Sequence, residues 1–281
     1  MERVSTIDQP RQTMLAPSDI EAAADLLWQH WQAGTLIDGL PTQVRPTSRA
    51  EAYAIQALLE KRSAVPLFGW KIAATSKAGQ QHINVDGPLA GRLLAESVLP
   101  MDEPITIGAN QMLVAEPEFC FRFGHDLPPR SMPYTTAEVM AAVASLHLAI
   151  ELPDSRYVRF VTAGAAQLIA DNACGHQFIL GPEAPPLWRD IDLVQHAVIG
   201  TVADATGMLT LTREGAGANV LGDPRIGLAW LVNEMSALGQ TLRANEVVTT
   251  GTCMVPLPIT PGAVISADYG SLGRMQIRFA A

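Results

Sequence analysis

The sequence predicts an α+β fold with a core built mainly from β-strands. Hydrophobic residues make up 48% of the 281 residues and charged residues only 17%, so the chain can bury a large core. Short segments that alternate apolar and polar residues recur between Gly and Pro residues, which is typical of antiparallel sheets. A smaller number of amphipathic segments carry helix caps and predict helices beside that sheet.

Charge and cysteine content exclude several classes of protein. The net charge of −9 argues against a nucleic-acid surface, which is normally basic. Cys120, Cys174 and Cys253 lie far apart and suit neither a disulfide framework nor a zinc site. Residues 1–12 lack the apolar core of a signal peptide, and the apolar run at residues 143–150 is too short to span a bilayer. We therefore expect a soluble cytoplasmic protein with no membrane or nucleic-acid partner.

Two helices are predicted before residue 66, after a polar segment at residues 1–16. The first begins at a capping box at residues 18–21 and ends at Gly34, and the second begins at the capping box of Ser48 and Glu51. We expect residues 1–65 to form an N-terminal helical cap or an oligomer contact. Residues 66–281 would form the main domain, and the two parts would make one continuous structural unit.

A single lysine lies inside the next apolar run, a predicted strand at residues 67–73. Burying Lys71 as an ion would cost several kcal/mol. The side chain must therefore reach solvent, pair with a carboxylate, or lower its pKa and take part in chemistry. A Gly- and Pro-rich stretch at residues 85–91 follows and predicts a loop that could cover a site.

Residues 114–123 alternate with period two and predict a β-strand. Glu116 and Glu118 then share one face and project side by side, roughly 6–7 Å apart at the backbone. Like charges that close repel each other unless a cation lies between them, and oxygen ligands suit Mg²⁺, Mn²⁺ or Ca²⁺. The alternative is the solvated polar face of a half-exposed strand. The opposite face carries three phenylalanines: Phe119, Phe121 and Phe123.

The second half of the chain continues with helices and short strands. Thr135 begins a helix that we expect to continue through Leu148 into a strand that ends near Glu151 and Asp154. The other predicted elements are a loop feeding a strand (171–181), antiparallel strands (190–212), an amphipathic helix (224–238) and three final strands (247–252, 265–269, 275–279).

Six short segments occur together in a recognisable order. They are residues 69–77, 115–119, 149–156, 171–173, 250–252 and 267–273. Together they resemble the 2-keto-4-pentenoate hydratase and 4-oxalocrotonate decarboxylase branch of the fumarylacetoacetate hydrolase superfamily. The resemblance covers roughly residues 66–281. It implies a catalytic domain with a mixed β-roll core of the fumarylacetoacetate hydrolase C-terminal type, preceded by N-terminal helices.

The resemblance also implies a metal site and an activity. Glu116, Glu118 and Glu151 match the family's ligands for Mg²⁺ or Mn²⁺, and Lys71 matches its active-site lysine. Enzymes of this branch add water to a 2-hydroxy-2,4-dienoate or 2-oxo-4-enoate to give a 4-hydroxy-2-oxo acid in aromatic meta-cleavage catabolism. The expected partner is thus a small 2-oxo or 2-hydroxy-dienoic acid, and the expected assembly is a homo-oligomer or a complex with a pathway enzyme.

Four further residues could bind the substrate carboxylate. Arg156 could hold it directly, although an arginine after an aspartate is as easily part of a local salt bridge. Ser155, Asn172 and Thr252 could donate hydrogen bonds. His82 is the one histidine that we retain for proton transfer, because it lies near the predicted covering loop.

One position departs from the family pattern. Many related hydratases carry an acidic residue in the loop after the lysine, and Leu89 stands at that position here. Asp86 or another group would have to replace it, or the chain catalyses a different reaction. A 2-oxo-3-enedioate decarboxylase needs only the metal and an acid, whereas an acylpyruvate-type C–C hydrolase would need a His–Glu pair that the sequence does not offer. A non-catalytic partner protein is a third alternative, disfavoured by the intact set of three glutamates.

Overall fold

Two β-sheets and six α-helices make up residues 14–281, the part of the chain that the computed structural model describes. The predicted polar segment at residues 1–16 lies mostly outside these residues. The helices are α1 (Pro17–Ala33), α2 (Arg49–Ala57), α3 (Lys77–His82), α4 (Thr136–Ala142), α5 (Ala165–Ala170) and α6 (Pro224–Ala237). The strands are β1 (Gly69–Ala73), β2 (Leu89–Leu93), β3 (Val114–Phe123), β4 (Val143–Leu152), β5 (Gln177–Glu183), β6 (Ala197–Ala203), β7 (Leu209–Ala216), β8 (Val247–Thr252), β9 (Leu257–Pro258), β10 (Val264–Asp268) and β11 (Arg274–Arg278).

The larger sheet is mixed, and it positions the candidate site. Its strand order is β2-β1-β8-β3-β4-β5, with β9 paired to the start of β3. The pair β1–β8 is parallel and the other pairs are antiparallel. The sheet curls so that its two edges approach each other. Shortly after β2, Val98 forms a bridge with Phe178 of β5, and the N–H of Leu99 donates a hydrogen bond of 2.8 Å to the main-chain oxygen of Phe178. This architecture confirms the predicted α+β fold with a β-roll core.

The inner face of the curled sheet has a polar layer and an apolar layer. The apolar layer contains Leu93, Cys120, Ala149, Phe178 and Val247, which form a cluster separate from the main core. Alternate residues of a strand share a face, so Glu118 lies on the same face of β3 as Cys120, and Glu151 lies on the same face of β4 as Ala149. These glutamates form the polar layer. The outer face of β3 packs its three phenylalanines into the main core, as the alternation predicts.

The smaller sheet braces the outer face of β3. It is antiparallel with the order β11-β10-β6-β7. Tyr269, directly after β10, is fully buried, packs edge-on against the ring of Phe119 and donates a hydrogen bond of 3.0 Å to the main-chain oxygen of Glu118. The backbone of the acidic segment is therefore held from outside the roll.

The N-terminal helices pack into the main core. The capping box of Ser48 and Glu51 at the start of α2 is confirmed, and α1 ends at Gly34 in the left-handed conformation as predicted. The capping box predicted at residues 18–21 is wrong: α1 begins at Pro17, and no side chain caps it. Proline at the first helical position can begin a helix without a side-chain cap, because its backbone has no N–H to satisfy. The predicted division at residue 65 stays a prediction.

The region after Thr135 differs from the prediction. The capping box of Thr135 is present, but α4 ends at Ala142, and residues that we expected to extend the helix form the long strand β4. Their apolar run is compatible with either state, and pairing of β4 with β3 on one side and β5 on the other decides for the strand. Among residues 14–281, no helix is long and apolar enough to cross a membrane.

The phenylalanine face of β3 yields a prediction about stability. Phe121 is fully buried in the main core and contacts the ring of Trp188. We expect Phe121→Ala to lower the free energy of unfolding by about 3–5 kcal/mol, because the substitution leaves a cavity in a packed core. Urea unfolding followed by circular dichroism measures it. As a control, Leu209→Ala on exposed β7 should change that free energy by less than about 0.5 kcal/mol. Equal losses in the two variants would contradict the assigned core.

Candidate metal centre

Three carboxylates converge inside the roll. Glu116 and Glu118 are alternate residues of β3, and Glu151 on β4 lies directly opposite Glu116 in the antiparallel register. One carboxylate oxygen from each of the three lies within 4.8 Å of the others. Glu118 and Glu151 are fully buried and Glu116 is partly buried. The period of the strand places Glu116 and Glu118 on one face, as the sequence predicts. Glu151, which was expected here only from the family resemblance, reaches the site through the pairing of β4 with β3.

The oxygen atoms of this cluster fit a divalent cation. Glu118 Oε1 and Glu151 Oε2 are buried and accept no hydrogen bond from the described residues. A buried carboxylate oxygen without a partner is costly. Carboxylate oxygens are the ligands that Mg²⁺, Mn²⁺ and Ca²⁺ prefer, and three such groups leave coordination positions for water or substrate. Glu116, Glu118 and Glu151 can therefore hold one such ion.

The electrostatics of the cluster also favour a bound cation. Burial, together with the charge of Glu151, raises the pKa of Glu116 to about 7 against the opposing effect of Lys71. Burial and the two neighbouring carboxylates raise the pKa of Glu118 well above its ordinary value, and burial also raises the pKa of Glu151. When ionised, three carboxylates and one ammonium group carry a formal charge of −2. A divalent cation would neutralise that charge.

Lys71 lies at the edge of the acidic cluster. Its side chain is 2% exposed, and its Nζ lies 3.1 Å from Glu151 Oε1. Nζ also donates a hydrogen bond of 2.9 Å to the main-chain oxygen of Ala173. Burial lowers the pKa of Lys71, but the charges of Glu151 and Glu116 outweigh burial, so this pKa is raised. Of the three alternatives for a buried lysine, the structure shows pairing with a carboxylate.

A β-bulge in β8 supplies hydrogen bonds that the sequence analysis missed. The register between β3 and β8 shifts between Glu118 and Cys120. The shift brings both Thr249 Oγ1 and the N–H of Gly251 to Glu118 Oε2, the latter at 2.8 Å. Gly251 adopts φ +95°, and a Cβ there would clash with Thr75, which explains the glycine. Residues 250–252 belong to the segments that carry the family resemblance, but the sequence alone does not predict a bulge there.

Thr252, the predicted substrate-binding residue of this segment, lies beside the cluster. It faces Glu118 across the β3–β8 pair and is partly exposed. Its hydroxyl donates to the main-chain oxygen of Met254 at 2.9 Å. Substrate binding by Thr252 stays a prediction.

Arg156 and Ser155 belong to a buried network around Asp171. The Arg156 guanidinium forms an ion pair with Asp171, donates to three main-chain oxygens, and lies 4.5 Å from the ring of Trp31. Ser155 Oγ donates to Asp171 Oδ2 at 2.7 Å. The ion-pair partner of Arg156 is thus Asp171, 15 residues away, and not Asp154, two residues before it. Binding of substrate by either residue stays a prediction and would require a change of hydrogen-bond partners.

The residues around the expected covering loop lie apart from the carboxylates. Leu89 is fully buried as the first residue of β2, opposite Ala73. The prediction that residues 85–91 form a loop is therefore wrong from Leu89 onward, because pairing with β1 continues to that residue. Asp86 is exposed in the preceding loop. His82 is exposed at the end of α3, with its ring 6.2 Å from that of Phe160. None of the three has a described hydrogen bond to the acidic cluster.

Comparisons with known proteins agree with this geometry. The family model described as fumarylacetoacetate (FAA) hydrolase C-terminal matches residues 73–280. A 2-keto-4-pentenoate hydratase of Burkholderia vietnamiensis is 34% identical over 231 residues, which cover 81% of this chain and 85% of the relative. One of Paraburkholderia xenovorans is 30% identical over 272 residues, covering 94% and 96%. Among solved structures, 4-oxalocrotonate decarboxylase from Pseudomonas putida G7, complexed with magnesium and adipate, aligns with a TM-score of 0.84 at 25% identity, covering 95% of this chain and all of that chain.

The cluster predicts one metal ion per chain. Titration with Mn²⁺, followed by loss of the free-ion electron paramagnetic resonance signal, should show one site in the wild type. Glu118→Gln should weaken binding at least about 100-fold, because even residues behind the ligands contribute about 10–100-fold. Glu183→Gln, which changes an exposed glutamate on β5, is the matched control and should bind normally. Normal binding by Glu118→Gln would contradict the assignment.

The raised pKa values predict how stability depends on pH. Between the ordinary value of 4.5 and about 7, folded Glu116 binds more protons than unfolded Glu116, so the free energy of unfolding falls as pH rises. The raised pKa values of Glu118 and Glu151 act in the same direction. In EDTA, urea unfolding should therefore show decreasing stability from about pH 5 to about pH 7, with a shallower decrease in Glu116→Gln. Identical slopes in the two proteins would contradict this origin.

Proposed function

Because this chain belongs to the fumarylacetoacetate hydrolase C-terminal family, we propose that it is a divalent-metal-dependent hydro-lyase. Its substrate would be a 2-hydroxy-2,4-dienoate, reacting through its 2-oxo tautomer, and its product a 4-hydroxy-2-oxo acid. The hydratases of Burkholderia vietnamiensis and Paraburkholderia xenovorans support this choice, since each matches more than four-fifths of the chain.

The observation that carries the proposal is the buried set of three carboxylates beside a buried ammonium group. Glu116, Glu118 and Glu151 each bring a carboxylate oxygen within 4.8 Å of the others, and buried oxygens of Glu118 and Glu151 have no hydrogen-bond partner among the described residues. Lys71 Nζ lies 3.1 Å from Glu151 Oε1. A Mg²⁺ or Mn²⁺ ion held by the three glutamates would supply a Lewis acid for negative charge that develops on the 2-oxygen of the substrate. The glutamates are held by their strands, so this arrangement is in place before the substrate binds.

Lys71 supplies the proton chemistry in this proposal. The overall reaction removes a proton from the 2-hydroxyl group, adds protons at C3 and C5, and places a hydroxyl group on C4, which amounts to the addition of one water molecule. The ammonium group of Lys71 can give a proton to a substrate carbon and regain one in the next step. Its contact with Glu151 and its hydrogen bond to the main-chain oxygen of Ala173 hold the ammonium group at the cluster. The residue at position 89 contributes no proton in this scheme.

A second candidate is decarboxylation of a 2-oxo-3-enedioate. Leu89 favours it, because a buried leucine cannot replace the acid that many related hydratases carry at this position, and decarboxylation needs no group to activate water. The similarity to the decarboxylase from Pseudomonas putida G7, with its bound magnesium and dicarboxylate, also favours it. Both reactions pass through charge on the 2-oxygen, so the same glutamates would serve.

Substrate assays distinguish the two candidates. Purified protein with Mg²⁺ should consume 2-hydroxypenta-2,4-dienoate, seen as loss of the dienol absorbance, and should release no CO₂ from 4-oxalocrotonate. Lys71→Met should lower kcat by about 10²–10⁴-fold, which is the usual contribution of a positioned acid or base. Lys61→Met removes an exposed lysine and should leave kcat unchanged.

Two results would contradict the proposal. Release of CO₂ from 4-oxalocrotonate without turnover of the dienoate would replace the hydratase by the decarboxylase. Wild-type activity in Lys71→Met would remove Lys71 from the mechanism under either reaction.

A further inference from the structure

Three consecutive residues between α5 and β5 form a buried left-handed turn. Asn172, Ala173 and Cys174 have φ angles of 55°, 50° and 59°. None of them is glycine, and all three are at most 5% exposed. Residues with a Cβ adopt this conformation at an energetic cost, and such strain persists only where neighbouring structure maintains it. The contacts that hold this turn in its strained conformation therefore indicate its role in the structure.

The side chain of Asn172 attaches the turn to the edge of the roll. Its Oδ1 accepts a hydrogen bond of 2.7 Å from the N–H of Arg92, and its Nδ2 donates one of 2.8 Å to the main-chain oxygen of the same residue. Arg92 lies on β2, an edge strand of the sheet, so the amide takes the place of a neighbouring strand. Asparagine is also among the residues that tolerate the left-handed conformation best.

The turn presents one main-chain oxygen to Lys71. Ala173, the central residue, accepts the hydrogen bond from Lys71 Nζ. Gly91 lies opposite Lys71 in the β1–β2 register. A Cβ at this position would clash with the main-chain oxygen of Asn172 and would lie 2.9 Å from Lys71 Cδ. An ammonium group has three hydrogens. Ala173 and Glu151 take up two of its directions and leave the third for another partner.

We propose that Asn172 is a positioning residue that holds Lys71 in its reactive orientation through the carbonyl group of Ala173. The side chain of Asn172 is 1% exposed and bonded to Arg92, so it is not placed to bind a substrate carboxylate. This assignment is an alternative to the substrate-binding role expected from the sequence, which stays a prediction. It rests on the proposed role of Lys71 as the acid of the reaction.

The lysine content of the chain allows a direct test. Lys61, Lys71 and Lys77 are its only lysines, and the first and third are exposed. Exposed ammonium protons exchange rapidly with water, whereas buried, hydrogen-bonded ones are protected. With ¹⁵N-lysine labelling and saturating Mg²⁺, the wild type should give one protected ammonium signal, which Lys71→Met assigns. Asn172→Gly, in which glycine accepts the same φ but lacks the amide, should lose that protection.

Kinetics provide the second readout. Asn172→Gly should lower kcat at least about tenfold with KM changed less than about threefold, because misplacement of a reacting group affects the reaction step more than ground-state binding. A matched control isolates the Asn172 amide. Asn245→Gly replaces another left-handed asparagine, with φ 72°, in the turn before β8, and should retain the signal and the wild-type kcat.

Several outcomes would overturn the assignment. Asn172→Gly with a protected Lys71 signal and normal kcat would do so, and so would a raised KM with unchanged kcat, which would identify a substrate ligand. Equal losses in Asn245→Gly would attribute the effect to replacement of a left-handed asparagine in general and not to the bonds of the Asn172 amide. If Asn172→Gly does not fold, Asn172→Asp, which keeps an acceptor for the Arg92 N–H but loses the donor, replaces it and should show a smaller loss of the same kind. If the wild type turns over neither substrate, the proposed function fails, and the ammonium signal still decides the positioning of Lys71.

Discussion

Three carboxylates enclosed in a curled sheet with a single ammonium group are the constraint on which the rest of this structure depends. Burial disfavours the ionised form of each glutamate, and the negative charges repel each other. Lys71 compensates for one charge, and a divalent cation would compensate for the other two. The cluster therefore contributes little to stability and is suited to hold a divalent cation. Functional sites often contain unfavourable arrangements of this kind, and contacts elsewhere in the structure supply the stability that compensates for them.

The surrounding structure keeps these groups in place from several directions. The phenylalanines of β3 anchor its outer face in the main core, and Tyr269 bonds its backbone from the smaller sheet. Beneath the carboxylates, the apolar layer that includes Phe178 fills the inside of the roll. The bulge of β8 aims two donors at Glu118, and the strained turn at Ala173 aims an acceptor at Lys71. Rigid support of this kind fixes the positions of the carboxylates and of Lys71 before any ligand binds.

Features that local physics dominates are predictable from this sequence. The alternation of β3 predicts both the packed phenylalanine face and the shared face of Glu116 and Glu118, and both are observed. The capping box of α2 is likewise a local arrangement of hydrogen bonds, and it is present. The prediction of a helix over the apolar run that follows α4 is wrong, because such a run suits a buried helix as well as a strand bonded on both sides. The prediction of a loop at Leu89 is wrong because pairing with β1 extends a strand into a stretch rich in Gly and Pro.

By itself, the sequence determined the type of chemistry: two carboxylates on one strand face, a lysine that needs a partner, and an ordered set of segments that resembles one enzyme family. Only the tertiary structure decided which groups meet. Strand register places Glu151 opposite Glu116, and the closing of the roll brings Ala173 to Lys71 across about a hundred residues of chain. The same contacts assign Arg156 to Asp171 and Asn172 to Arg92. A short motif specifies donors and acceptors, whereas their partners depend on pairing between segments that are distant in sequence, and no local pattern encodes that pairing.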